Sequence, residues 1–149
     1  METEKPSETH FDGIHCHLTL QQYGCGVVVL KISGTDVGEF GNAPMLAMDD
    51  YLHTVPSIEL FIDARDVRGA SIEVSGEWAA WLSANREKLR DVSMLTGSRF
   101  IKLTADFVRR FADLQGVMKI YTEDAAFDSA LEVSLFQNRR TAAQGSPLV

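Results

Sequence analysis

The run Val27-Val28-Val29-Leu30-Lys31-Ile32 constrains the fold most. Neighbouring side chains on a strand point to opposite faces. A strand that is apolar on both faces suits the middle of a sheet that helices cover. Residues 15–22, just upstream, alternate instead. Cys16, Leu18 and Leu20 share one face; His15, His17, Thr19 and Gln21 share the other. That is the pattern of a half-buried strand. Tyr23-Gly24-Cys25-Gly26 separates the two runs, and its glycines suit a turn. The spacing predicts an antiparallel hairpin at one side of the sheet.

Downstream the period changes. Met45, Met48, Leu52 and Val55 recur every three or four residues, which predicts a helix over 42–55 with Pro44 in its first turn. Pro56 ends it. Ile58-Glu59-Leu60-Phe61-Ile62 is a third strand that stops at Asp63, and residues 63–69 read as a charged exit loop. A second helix is expected over 76–90, capped by Ser75, with Trp78, Leu82, Asn85 and Leu89 on one face and Trp81 beside it. Residues 92–96 form a fourth strand. The helix expected over 99–115 buries Phe100, Leu103, Phe107, Phe111 and Leu114 and ends at Gly116. Residues 117–121 form a fifth strand. Thr122 caps a last helix over 123–136, with Phe127, Leu131 and Leu135 inward.

The expected architecture is α/β. One mixed sheet in the order ββαβαβαβα, antiparallel at the N-terminal hairpin and parallel elsewhere, is covered by about four helices, with right-handed crossovers. Residues 1–13 and 137–149 read as flexible tails around a domain over 14–136.

Composition limits the kind of work. The 149 residues fit one domain. Fourteen Lys and Arg against 21 Asp and Glu leave a net charge of −7, which is not the footprint of a nucleic-acid binder. No run is apolar enough to span a bilayer, no signal peptide shows in residues 1–10, and a cytoplasmic location is expected. Cys16 stands about 20 Å along the strand from the turn that holds Cys25, at roughly 3.3 Å per residue, so both are expected reduced.

The element order resembles the STAS-like fold of anti-sigma-factor antagonists and of sulfate-transporter cytoplasmic domains. Three stretches carry the resemblance. The apolar strand ending at Asp63 resembles the strand before the family's signature loop. Glu73-Val74-Ser75-Gly76 resembles its Asp-Ser-Ser-Gly helix start. Ile120-Tyr121-Thr122-Glu123-Asp124-Ala125-Ala126 resembles its closing strand and acidic helix start. In switchable members the first Ser accepts phosphate from a partner kinase; Val74 stands there and has no hydroxyl. The resemblance implies a non-catalytic regulatory module in bacterial signalling that binds a protein partner, a regulator or kinase. Its expected docking edge is Asp63, Arg65, Asp66, Arg68, Glu73, Ser75, Gly76 and Trp78. Ser75 and Ser71 are the candidate phosphorylation sites.

Other chemistries are weaker. A lipid or small-anion binder of SEC14 type would use the basic residues Arg86, Lys88, Arg90, Arg99, Lys102, Arg109 and Arg110 with the Trp78/Trp81 face, at a membrane surface. Gly97, Ser98 and Arg99 open a helix that can hold an anion, yet the Walker spacing is missing. A receiver domain would use Asp63 and Thr96, but it lacks the acidic pair after the first strand. His10, His15, Cys16, His17 and Cys25 do not converge, because alternation sends Cys16 away from His15 and His17. No metal, cofactor or catalytic residue is therefore assigned.

Overall fold

The computed structural model describes residues 5–145, apart from the side chains of Phe100 and of residues 139–145. The elements run β1 (Ser7–Asp12), β2 (Cys16–Gln22), β3 (Val27–Asp36), α1 (Ala43–Leu52), β4 (Ile58–Ala70), α2 (Ile72–Ala84), β5 (Leu89–Thr96), α3 (Arg99–Phe111), β6 (Met118–Tyr121) and α4 (Asp124–Gly145), with a 3-10 turn at Arg86–Lys88. The six strands lie in chain order. β1–β2 and β2–β3 are antiparallel. β3, β4, β5 and β6 are parallel. The mixed α/β architecture is the expected one, with an extra strand in front.

Parallel strands laid side by side in sequence need crossovers of one hand, and one hand puts their helices on one face. α1, α2 and α3 accordingly share a core with that face. Met48 and Leu52, Ala79 and Leu82, and Ala105 and Val108 pack with Leu18, Leu20, Leu30, Leu60 and Val92. α4 follows the last strand and takes the opposite face. Phe127 meets Val27, Val29, Phe61 and Leu95 there. The run 27–32 is central, as its two apolar faces require. Val28 and Leu30 face one core, and Val27 and Val29 the other.

Five expectations are corrected. Ser7–Asp12 is not part of a tail; it pairs with β2 along its whole length. Residues 1–4 and 146–149 of the two expected tails lie outside the described residues. α4 runs on to Gly145, well beyond 136. β4 does not stop at Asp63. The stretch read as an exit loop continues the strand to Ala70, paired with β3 as far as Asp36. Twice, between Lys31 and Ser33 and between Gly34 and Thr35, β4 holds one residue more than β3. Such bulges break the alternation by which a strand is recognised. α3 ends at Phe111, because Asp113 adopts a positive φ of 58° just past it. Asp tolerates this left-handed conformation, and it also pairs with Arg86 at 3.1 Å.

The fifth correction concerns α3. Its buried side is Ile101, Ala105 and Val108. Three residues of the stripe expected to be buried are in solvent: Leu103 is 68% exposed, Phe107 54% and Phe111 62%. Leu114 is buried as expected, but beyond the helix. The Phe100 side chain lies outside the described residues.

The β1–β2 turn is held by one carboxylate. Glu39 accepts the backbone N–H groups of Ile14 and His15, both at 2.8 Å. The His15 N–H above all holds its pKa below the ordinary 4.5. A lowered folded pKa gives stability that is complete above the unfolded value and lost as pH falls through the folded one. Urea midpoints of wild type and Glu39→Gln should therefore differ at neutral pH and draw together as pH falls below the ordinary 4.5. A gap that persists undiminished at pH 3 would remove the carboxylate's role.

Candidate functional site

β4 and α2 carry all of the residues expected to form a docking edge, and the sheet divides them. Asp63 and Arg65 point to the α4 face. The Asp63 carboxylate accepts the backbone N–H of Arg65 at 3.2 Å and its Nε at 3.0 Å. The same guanidinium reaches Asp128 at 2.6 Å and Asp124 at 3.5 Å. The carboxylates of Asp128 and then Asp63 push the Arg65 pKa further up. Arg65 thus clamps the first turns of α4 to β4. Asp66 and Arg68 are exposed, beside His17 in a shallow polar cleft.

Glu73, Ser75, Gly76 and Trp78 belong to α2 on the other face. The helix begins earlier than its sequence suggests. Ser71, not Ser75, is the N-cap, and its Oγ accepts the Val74 N–H at 3.2 Å. Ser75 lies in the first turn, and its Oγ donates to the Ser71 carbonyl at 3.1 Å. A cap is worth about 1 kcal/mol. Ser71→Ala should therefore lower the unfolding free energy by about that much. Ser75→Ala should stay within about 0.5 kcal/mol. Urea denaturation of the pair checks the order, and the reverse order would return the cap to Ser75.

Trp78 is half-buried and meets the buried Trp81 edge-on at 6.3 Å between ring centroids. Trp81 Nε1 donates to Asp49 Oδ1 at 2.8 Å and so ties α2 to α1. The expected aromatic face is core, and it does not form the outer surface of a basic helix pair.

The remaining candidates are separated or occupied. Asp63 shares its parity with Phe61, on the α4 side; Thr96 shares its parity with Met94, on the α3 side. An acceptor and switch pair across the sheet cannot serve one phosphate. Thr96 Oγ1 accepts the Ser98 N–H, and Ser98 Oγ accepts the Ile101 N–H. Part of the donor set at Gly97, Ser98 and Arg99 is therefore already used. His17 pairs with Asp12 and His10 with Glu8. Among the described residues no three His, Cys, Asp or Glu side chains gather as metal ligands. Neither Cys16 nor Cys25 forms a disulfide. Burial, followed by Asp36 and Glu39, pushes the Cys16 thiol up to about 11.

The feature missed in the sequence is a groove between the start of α2 and the outer side of α3. Ile72, Ser75, Ala70, Leu103, Thr104 and Phe107 line it, around a volume of about 310 Å³. Ile72 is 88% exposed at its rim. Phe107 stacks on Phe111 at 5.8 Å, extending the apolar surface along α3. A smaller apolar space of about 90 Å³ lies beneath, among Ile62, Val74, Trp78, Met94, Ile101 and Val108. Helical spacing showed that α3 has an apolar stripe, but not which of its two stripes faces the sheet.

Among solved structures, the chain is similar to an uncharacterized DUF3478-family protein with a SpoIIAA-like fold from Shewanella loihica. Identity is 11%, the match covers 88% of this chain and 97% of that one, and the TM-score is 0.56. It is also similar to an anti-sigma factor antagonist from Mycobacterium paratuberculosis at 18% identity, over 85% and 93% of the two chains, with a TM-score of 0.41. No family model matches the sequence. No curated protein matches it. The fold is SpoIIAA-like, the STAS-like arrangement of one mixed sheet with four helices.

Proposed function

We propose that this chain is a non-catalytic regulatory module of STAS type that works by docking another protein. The observation that supports this reading most is the exposed apolar groove at Ile72, Leu103 and Phe107, which Phe111 continues along α3. Soluble domains rarely leave adjoining large apolar side chains in water unless something binds there. The groove opens beside Glu73, Ser75 and Gly76, in the helix start that resembles the STAS signature. Of the docking residues named from the sequence, these three keep their place in the reading. Asp63 and Arg65 serve the α4 clamp, and Trp78 serves the core. With Val74 in the acceptor position, docking does not depend on a phosphorylated serine there. Ser71 and Ser75 are the hydroxyls placed to modulate it.

Affinity capture from the source cells followed by light scattering tests the reading. The expected result is one recurrent protein that forms a complex of defined stoichiometry with the purified chain. Turnover of a small molecule with no such complex would overturn it. The alternative is a lipid or small-anion carrier, and it draws on the smaller apolar space. That space, about 90 Å³, is well short of the roughly 300–1,000 Å³ of ordinary ligand pockets. That space therefore gives the carrier reading little support.

A further inference from the structure

We infer that the α2–α3 groove receives an amphipathic helix of a partner protein, and that this helix carries acidic residues along the edge that lies over α3. The inference rests on the reading of the chain as a docking module and specifies the chemistry of its partner.

Three observations point to that occupant. The first is shape. Leu103, Phe107 and Phe111 follow one another at four-residue spacing down α3. From first to last they span about 12 Å, at 1.5 Å per residue. An apolar stripe of this length, with the groove at its Leu103–Phe107 end and Phe111 stacked beyond it, matches a helix that presents anchors at i, i+3 or i+4, and i+7.

The second is charge on the α3 side. Residues 99–111 hold four cations, Arg99, Lys102, Arg109 and Arg110, against the single acid Asp106, in a chain of net charge −7. Asp106 is taken by Arg109 at 2.9 Å. Arg99 stands one turn before Leu103, and Arg110 one turn after Phe107. Neither has an acidic partner among the described residues. The apolar stripe is thus flanked by uncompensated guanidinium groups, which favour carboxylates on whatever covers it.

The third is charge on the α2 side. Glu73 and Glu77 are exposed there. A flat anionic bilayer laid on the groove would meet both, besides the net negative charge of the whole domain. A helix avoids this, because it offers acid along one edge only. Unlike charges across an interface also set its orientation, so the opposite edge of the partner helix, over Glu73, is neutral or basic.

A displayed library of amphipathic helices, with a fixed apolar face and randomised polar edges, tests this against the purified full-length chain. Selected helices should carry Asp or Glu on one edge. Their binding should fall about tenfold or more on Phe107→Ser, a change at an exposed position that leaves folding intact. Selection against the Arg99→Glu/Arg110→Glu variant should return Lys or Arg at the same positions. No enrichment, enrichment without acidic bias, or binding indifferent to Phe107→Ser would overturn the inference. So would flotation of the protein with equimolar phosphatidylcholine–phosphatidylglycerol vesicles that Phe107→Ser abolishes, which would assign the groove to a membrane. A cellular partner that Phe107→Ser still binds would sink the groove and leave the docking reading standing. A chain with no cellular protein partner would sink the docking reading itself.

Discussion

Gly34→Ala should cost at least about 3 kcal/mol of folding stability. Gly34 adopts φ +86°, where a left-handed L-residue pays roughly 1–2 kcal/mol before any clash. Its position then makes matters worse. A Cβ there would stand 2.2 Å from the His15 carbonyl oxygen and 3.3 Å from the Cys16 Cα. Both are backbone atoms, so no side chain can swing aside. The same His15 oxygen accepts the Thr35 N–H at 2.8 Å, and moving it breaks that bond. Gly34 also sits between the two bulges that let β4 run on past Asp63. A domain of this size holds only about 5–15 kcal/mol in all. The urea midpoint should therefore drop sharply. A variant within about 1 kcal/mol of wild type would show that β2 and β3 do not meet as described.

Phe127→Ala should be as damaging, at about 3–5 kcal/mol, and its damage should be local first. Phe127 is 1% exposed and is the residue of α4 fully buried in the second core. It meets Phe61 at 5.8 Å and Tyr121 at 5.9 Å, both edge-on. Such aromatic pairs add about 0.5–1.5 kcal/mol each beyond burial. Ala130, Leu131 and Leu135 of α4 pack around the ring, partly buried. The remaining ties of α4 are polar. They are the Arg65 clamp to Asp124 and Asp128, and Glu59 accepting from Ser134 Oγ and from Asn138 Nδ2. Burial and the nearby Glu59 raise the Asp91 pKa at the same end of the helix. Partly exposed ion pairs contribute little, so the apolar packing centred on the ring carries most of the attachment. Hydrogen exchange should show α4 amides losing protection well before those of β2, β3 and β4, whose opposite face packs on α1–α3. Uniform loss across the sheet would mean that the two cores open as one.

Most of the element order could be read from residues alone, for a plain reason. A strand apolar on both faces, an alternating strand, and helices with a period of three to four each leave a mark that neighbours do not erase. The hairpin, the central place of 27–32 and the succession of parallel strands follow from such marks. β1 left none. Its six residues are Ser-Glu-Thr-His-Phe-Asp, almost all exposed at the sheet edge, where no buried face demands apolar side chains. The second half of β4 was hidden by its bulges, which put Arg65 and Asp66 next to each other between the inward Ala64 and Val67. Ser71 and Ser75 both precede apolar turns, and only the path of β4 into α2 settles which of them is the cap.

The sequence by itself determined which segments extend, which coil and in what order they come, because these depend on local period and on the chemistry of turns. The tertiary structure alone decided which side of α3 meets water. That helix has two apolar stripes, one of large residues at Leu103, Phe107 and Phe111, the other of smaller ones at Ile101, Ala105 and Val108. Hydropathy ranks the bulky stripe as core. The close approach of α3 to α2 and the sheet selects instead, and the smaller set faces them, around the space of about 90 Å³. The candidate site exists because the larger stripe was left outside.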